Sequence, residues 1–349
     1  MEIHAKDIIN LLDRLAPPCL AEKWDNPGLQ VGNPNWPVHR ILVSLDVTPE
    51  NVSYAVQNGI NMIVSHHPML FHGIQEINGA TNKGALIEAL IRNKITSFAA
   101  HTNLDSVSGG INDALADKLQ LIHCMGLVPV FEETYSKFTV YMTNADARGL
   151  LKKLRETHQL DMSNVYILED DDDSTNKVRI EFTVNERSIE AVEKEIKSIG
   201  ENTAYDLYRL ANRGRQECMG RVGYLPSEMT GEEALRYIKN KLEIPVLRYA
   251  GNANKSSIKK VAVLGGAGAE FLHLAKSNGA DLYLTGDLKY HEAQGAIDED
   301  ILFVDGGHFY TERIIIPYLM KRLQAEFKAR GWDIQVYEDK GAKDIFSYI

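Results

Sequence analysis

Apolar positions recur along this chain at two spacings, and the spacing changes between its thirds. Near the N-terminus Ile8, Leu11, Leu12 and Leu15 fall on one stripe of the helix predicted over Ala5–Leu15. Short apolar runs of strand length follow at Arg40–Val47, Ile60–Ser65 and Ile95–His101. Helical spacing separates them near Pro49–Asn58 and Asn82–Asn93, and returns at Ile111–Leu121. The last third repeats the alternation. Its strands are predicted at Lys260–Leu264, Asp281–Thr285 and Ile301–Val304, its helices run to Ser277, near Leu288–Ala296 and to Arg330, and a closing strand is predicted at Asp333–Tyr337. Strand alternating with helix predicts mainly parallel sheets covered by helices.

The middle third has a different period. Phe138, Val140 and Met142 alternate with polar residues, a helical stretch follows near Asp146–Thr157, and an apolar strand is predicted at Asn164–Leu168. Val178, Ile180, Phe182 and Val184 alternate again, Ile189, Val192, Ile196 and Ile199 take helical spacing, and a last strand runs over Ala204–Leu210. This β-α-β-β-α-β order is the ferredoxin-like arrangement. The expected fold is therefore α/β. Two α/β halves, residues 1–130 and 218–349, form one core with mainly parallel sheets, and a ferredoxin-like α+β domain, residues 131–217, is inserted between them. The acidic run Glu169–Asp173 reads as a solvated hairpin tip, because its spacing lacks the pattern of a calcium loop.

Composition narrows the class. The chain has 349 residues, enough for more than one domain, with 44% hydrophobic and 25% charged residues, as in ordinary soluble proteins. It has no apolar run long enough to span a bilayer, and its first residues lack a secretory pattern, so a cytoplasmic protein with no membrane partner is expected. Cys19, Cys124 and Cys218 are too few and too scattered for a disulfide framework or a thiolate zinc site. A formal net charge of -10 disfavours a broad nucleic-acid surface but leaves a local basic groove open.

Three predicted strands end in chemistry. Ser65-His66-His67-Pro68, His101-Thr102-Asn103-Leu104-Asp105 and Gly306-Gly307-His308-Phe309-Tyr310-Thr311-Glu312 each follow an apolar run, where open α/β sheets collect their ligands. His66 and His67 are neighbours in extended chain and point to opposite sides, so they suit two adjacent ions, one each. His308 and Glu312, spaced i, i+4, share a helical face, and Asp105 completes the set from a third loop. Five ligands leave two ions unsaturated, which marks a catalytic rather than a structural centre. Zinc is the expected metal, with iron or manganese as alternatives. Gly265-Gly266-Ala267-Gly268 looks like part of a dinucleotide fingerprint. Phe271 occupies the place of its third glycine, so no nicotinamide or flavin is expected.

These three segments, with Trp24-Asp25-Asn26-Pro27-Gly28-Leu29-Gln30-Val31-Gly32 and Thr285-Gly286-Asp287-Leu288-Lys289-Tyr290-His291-Glu292, resemble the type 2 GTP cyclohydrolase I family. Its members are also known as dinuclear-metal-centre hexameric or NGG-interacting-factor-like proteins. The resemblance covers both outer thirds. It implies a homohexamer with two-metal sites facing an internal cavity, His66, His67, Asp105, His308 and Glu312 as ligands, and a middle insert similar to the PII and CutA proteins. It also implies a hydrolase in which metal-activated water attacks a nucleotide. A non-enzymatic metal-binding regulator with a sensory insert, and a ring that binds nucleic acid, are the competing expectations. His291 reads either as a proton carrier or as a helix-face histidine bonded to a neighbour, and His101 as support behind a ligand. Trp24 and Asp25 read as a turn packed on the core, with pocket lining as the alternative. His72 and His273 read as ordinary.

Overall fold

A computed structural model describes residues 2–156, 162–169, 177–211 and 214–349. The chain divides into two compact units, Met1–Val130 with Glu217–Ile349, and Phe131–Gln216. Among the described residues the strands form three sheets, two in the larger unit and one in the smaller.

The first sheet runs in the order Gly28–Val31, Thr96–Ala99, Met62–Ser65, Arg40–Ser44, Gln335–Glu338. Its last four strands are parallel, and Gly28–Val31 pairs antiparallel at one edge. The register sets Ser44 beside Ser65 and Ser65 beside Ala99, so three strands stop at one level. Every residue of Met62–Ser65 and Thr96–Ala99 is buried, as parallel strands covered on both faces require. Helix Ala5–Leu15 buries Ala5, Ile8, Leu11 and Leu12, and helix Ile315–Arg330 buries Ile316, Leu319, Leu323 and Phe327.

The second sheet runs Arg248–Ala250, Leu302–Asp305, Leu282–Gly286, Ile258–Ala267, Gln216–Met229, Ile122–Glu132. Its three central strands are parallel, with antiparallel neighbours outside them. The fold is thus mixed α/β, parallel at the centre of each larger sheet. Four strands lie outside the segments that apolar spacing predicts: Gly28–Val31, Ile122–Glu132, Gln216–Met229 and Arg248–Ala250. Ile122–Glu132 is largely exposed, so its apolar alternation is weak. Gln216–Met229 is buried around charges: Arg221 donates to both Asp113 oxygens at 2.6 and 2.7 Å, and Glu217 accepts from the Ser108 amide at 2.6 Å.

In the smaller unit the order is strand Tyr135–Thr143, helix Asn144–Glu156, strands Ser163–Glu169 and Lys177–Asn185, helix Ile189–Ile199 and strand Tyr205–Arg209. The sheet is antiparallel throughout, and one core joins both helices to Phe138, Val140, Ile180, Phe182 and Val184. Most of the acidic run, Asp170 to Asp173, lies outside the described residues. No helix among the described residues is long and apolar enough to cross a membrane.

Candidate metal centre

The two larger sheets aim their strand ends at one place. Just past the ends of the first sheet stand Asp46, His66, His67, His101 and Asp105; past those of the second stand Asp287, His308 and Glu312, with Gly266 in the last residues of strand Ile258–Ala267. The structure brings His66, His67, Asp105, His308 and Glu312 together. Glu312 is the hub. Its Oε1 lies 3.6 Å from His66 Nε2, and its Oε2 lies 2.9 Å from His67 Nε2 and 3.1 Å from His308 Nε2. Asp105 Oδ1 lies 3.5 Å from His66 Nε2.

Each imidazole is held from behind through Nδ1. The partners are the Ala100 carbonyl for His66 (2.9 Å), Asp46 for His67 (2.8 Å), Asp25 for His101 (2.7 Å) and Asp287 for His308 (2.7 Å). A carbonyl or carboxylate oxygen accepts, so Nδ1 carries the hydrogen and a neutral ring turns the lone pair of Nε2 inward. At His66, His67 and His308 those lone pairs meet carboxylate oxygens, which when ionised also only accept. A proton, on a ring or on a carboxyl, or a cation between them has to stand there. His66 Nε2 and Asp105 Oδ1 are buried with no hydrogen-bond partner. Leaving a buried polar atom unpaired costs about 1–3 kcal/mol, and more when it is charged. The donor set is that of a divalent transition metal. One ligand atom from each of His67, His308 and Glu312 lies within 4.8 Å of the others, and the same holds for His66, His67 and His101.

The side chains by themselves show the strain of this crowd. Burial works against a charged His67, but Asp46 and Glu312 outweigh it and raise the pKa to about 10. The same contest at His308, against Glu312 and Asp287, ends at about 9. Burial raises Asp105 to about 6. Burial also pushes Glu312 up, yet His66, His308 and His67 hold it well below the usual carboxylate range.

Local sequence explains the positions. Asn51, in the first turn of helix Pro49–Gln57, donates to the Asp46 carbonyl at 3.0 Å. Asn103 accepts from the His101 amide (2.9 Å) and donates to Ala16 O (2.7 Å). Buried Asn112 ties the sheets together, donating to Asp105 O and accepting from the Gly265 amide, both at 2.9 Å. Gly266 sits at φ +70°, and a Cβ there would fall on Glu312 Oε1. The glycines that imitate a dinucleotide motif lie at the end of strand Ile258–Ala267, and Gly266 leaves the space Glu312 needs. Asp287 takes φ 59°, a left-handed conformation that Asp tolerates better than most residues, and from it reaches His308.

Several placements go beyond the sequence reading. Asp46 and Asp287 stand alone in ordinary loops, and nothing in their spacing marks them; only Asp287 falls in a segment already singled out. His101 is not behind the cluster but in it, its ring edge-on to His66 at 5.3 Å and to His67 at 5.7 Å. The Asp25 carboxylate is buried and holds His101 and Thr102, whereas Trp24 is 60% exposed, its ring 6.1 Å from that of His101. His291 is exposed near the start of helix Tyr290–Asp298, edge-on to Tyr290, with no hydrogen bond or ion pair among the described residues.

Residues 3–344 match the Duf34/NIF3 (NGG1p interacting factor 3) family. A Bacillus subtilis protein named GTP cyclohydrolase 1 type 2 homolog is 32% identical over 372 aligned positions, covering 99% of each chain. A Listeria innocua protein of the same name is 30% identical, covering 97% of each. The crystal structure of a Bacillus cereus protein related to NIF3 superposes with a TM-score of 0.79 at 32% identity over the whole of both chains. A Staphylococcus aureus structure gives 0.88 at 29% identity, over 100% of this chain and 99% of that one. With the match running nearly from end to end, the chain belongs to the Duf34/NIF3 family.

Proposed function

We propose that the protein is a metal-dependent hydrolase working at a two-metal centre, with nucleotides as its substrate class. The observation that carries this reading is the meeting of acceptors across the cluster, above all His66 Nε2 against Asp105 Oδ1, both buried and without a hydrogen-bond partner. His66, Asp105 and Glu312 Oε1 would hold one ion, and His67, His308 and Glu312 Oε2 the other, with His101 beside the first. Zinc is the first candidate, iron or manganese the next. Ions so held supply Lewis acidity and an activated water near neutral pH.

The chain's own groups do the rest. Asp46, Asp25, Asp287 and the Ala100 carbonyl fix the four rings, so the donor atoms need no reorganisation. His291, four residues beyond Asp287 and open to solvent, is the candidate to hand a proton to a leaving group. The name GTP cyclohydrolase 1 type 2 homolog carried by relatives supports a nucleotide. A cytoplasmic homohexamer with a PII- or CutA-like insert completes the reading.

A second reading has one observation of its own. The smaller unit carries a cavity of about 660 Å³ lined by Tyr141, Leu168, Lys177 and Arg179 among others, which favours a metal-holding regulator that senses a small molecule there. Turnover separates the two. Metal-replete protein is screened against nucleotides, with formate release followed for GTP and phosphate release for the rest, beside His66→Ala. Hydrolysis of a nucleotide that vanishes in His66→Ala is expected. No turnover of any nucleotide, with full metal bound, would overturn the hydrolase.

A further inference from the structure

Trp24 and Phe71 are large aromatic side chains left in solvent, 60% and 38% exposed, beside the most buried chemistry of the molecule. Their ring centroids are 5.7 Å apart at an interplanar angle of 54°, so they do not stack on each other. His101 stands edge-on to both, at 6.1 Å from Trp24 and 6.2 Å from Phe71. The same imidazole is edge-on to His66 and His67. One ring therefore separates the aromatic pair from the candidate metal ligands.

The pair is held by a frame that does not depend on the rings. Asp25, next to Trp24, accepts from Thr102 N (3.1 Å) and Thr102 Oγ1 (2.6 Å) and holds His101. Asn26 donates to Leu70 O at 2.6 Å. Gln30 donates to Asn26 O at 2.7 Å and accepts from Leu70 N at 3.0 Å. Both neighbours of the aromatic pair, at 25–26 and at 70, are thus fixed to each other and to the cluster. Burial does not explain the pair, since burying an aromatic is worth about 1.5–3 kcal/mol and here most of Trp24 is left in water. Rigidly mounted, exposed aromatic faces beside convergent polar groups are what a site for a flat ligand requires.

We propose that Trp24 and Phe71 form a stacking wall that takes the planar heteroaromatic ring of the substrate and sets specificity for ring-bearing phosphates. This rests on the nucleotide reading above, and gives it residues. Stacking accepts any flat ring, so the wall selects for the presence of a base more than for its identity.

The test needs binding, not turnover. Metal-replete full-length protein is titrated by calorimetry with GMP and with ribose 5-phosphate, which share sugar and phosphate and differ in the ring. The wild type should bind GMP at least about tenfold more tightly. Trp24→Ala should weaken GMP by about 5- to 150-fold and leave ribose 5-phosphate unchanged, while Trp24→Phe, which keeps a ring face, should retain most of the preference. Phe71→Leu should fall between them. Metal content equal to wild type shows that the variants keep the site. Equal affinity for the two probes, no binding of either, or a preference that survives Trp24→Ala overturns the wall. A Trp24→Ala variant that keeps the preference but changes oligomeric state in light scattering assigns the pair to a subunit contact and overturns it too. Failure of hydrolysis with the GMP preference intact removes the hydrolase and leaves the wall standing; hydrolysis with equal binding does the reverse.

Discussion

Glu312 Oε2 lies 2.9 Å from His67 Nε2, although 245 residues separate them in the chain. Oε1 of the same carboxylate faces His66. One side chain from helix His308–Glu312, just beyond the second sheet, thus meets both members of a His-His pair at the end of the first, each through a different oxygen. A carboxylate so placed could serve ions at both positions, so the loss of Glu312 should be felt at both.

Purified protein should hold about two divalent ions per chain. His67→Ala should lose about one and Glu312→Ala more than one, by elemental analysis of dialysed protein. Equal metal in wild type and Glu312→Ala would remove its bridging role.

Metal uptake should release protons. His67 and His308, raised to about 10 and about 9, carry protons at neutral pH when no cation opposes Glu312, and a metal binds only the deprotonated ring. Affinity should therefore rise with pH from 7 through about 10, with at least about two protons displaced at pH 7, since His66 is raised as well. Calorimetry in buffers of different ionisation enthalpy reads that number; zero protons at pH 7 would mean that the rings are already neutral.

Asp25→Ala should destabilise the fold by on the order of 2 kcal/mol, since four donors to a buried carboxylate lose their acceptor. Burial alone would raise Asp25, but hydrogen bonds from His101 and Thr102 hold it down at about 2. The sign follows. A depressed carboxyl adds stability above its ordinary value of 3.8, and this is lost as pH falls toward 2. Urea denaturation should show the variant's deficit in full at pH 7 and reduced at pH 3.

Gly266→Ala should cost metal more than stability. Its φ of +70° disfavours a side chain by about 1 kcal/mol, while the new Cβ displaces Glu312 Oε1. A metal content matching wild type would show that Glu312 moves freely.

Residues 131–216 should be removable. Their core of Phe138, Val140, Ile180, Phe182 and Val184 is closed within the smaller unit. Joining residues 130 and 217 through a short linker should give folded, metal-binding protein; aggregation or loss of metal would show that the larger unit needs the insert.

Much of this was legible in the chain because the chemistry sits at the ends of strands that apolar runs announce. His66, His67, Asp105, His308 and Glu312 could be picked out for that reason. Asp46 and Asp287 could not be, because a single acid in a loop acquires its role only when tertiary folding presents an imidazole to it. The same holds for Gly266, whose turn has one sequence appearance and two possible reasons. Spacing does not say which way a ring turns, so the place of His101 within the cluster shows only in the folded chain. Strands Ile122–Glu132 and Gln216–Met229 escape the apolar pattern because exposure breaks it in the first and buried ion pairs break it in the second.

Strand Gln335–Glu338 completes the first sheet by pairing along Arg40–Ser44. During translation, the segments that carry Asp46, His66 and His67 leave the ribosome well before both Glu312 and the strand that closes their sheet. The smaller unit, contiguous in sequence, can close meanwhile; the larger cannot. A nascent chain stalled ahead of residue 308 would expose three clustered imidazoles without the carboxylate that organises them. The centre thus needs both parts of the larger unit: a chain that stops ahead of residue 308 lacks His308 and Glu312, and should show only weak, non-specific metal capture.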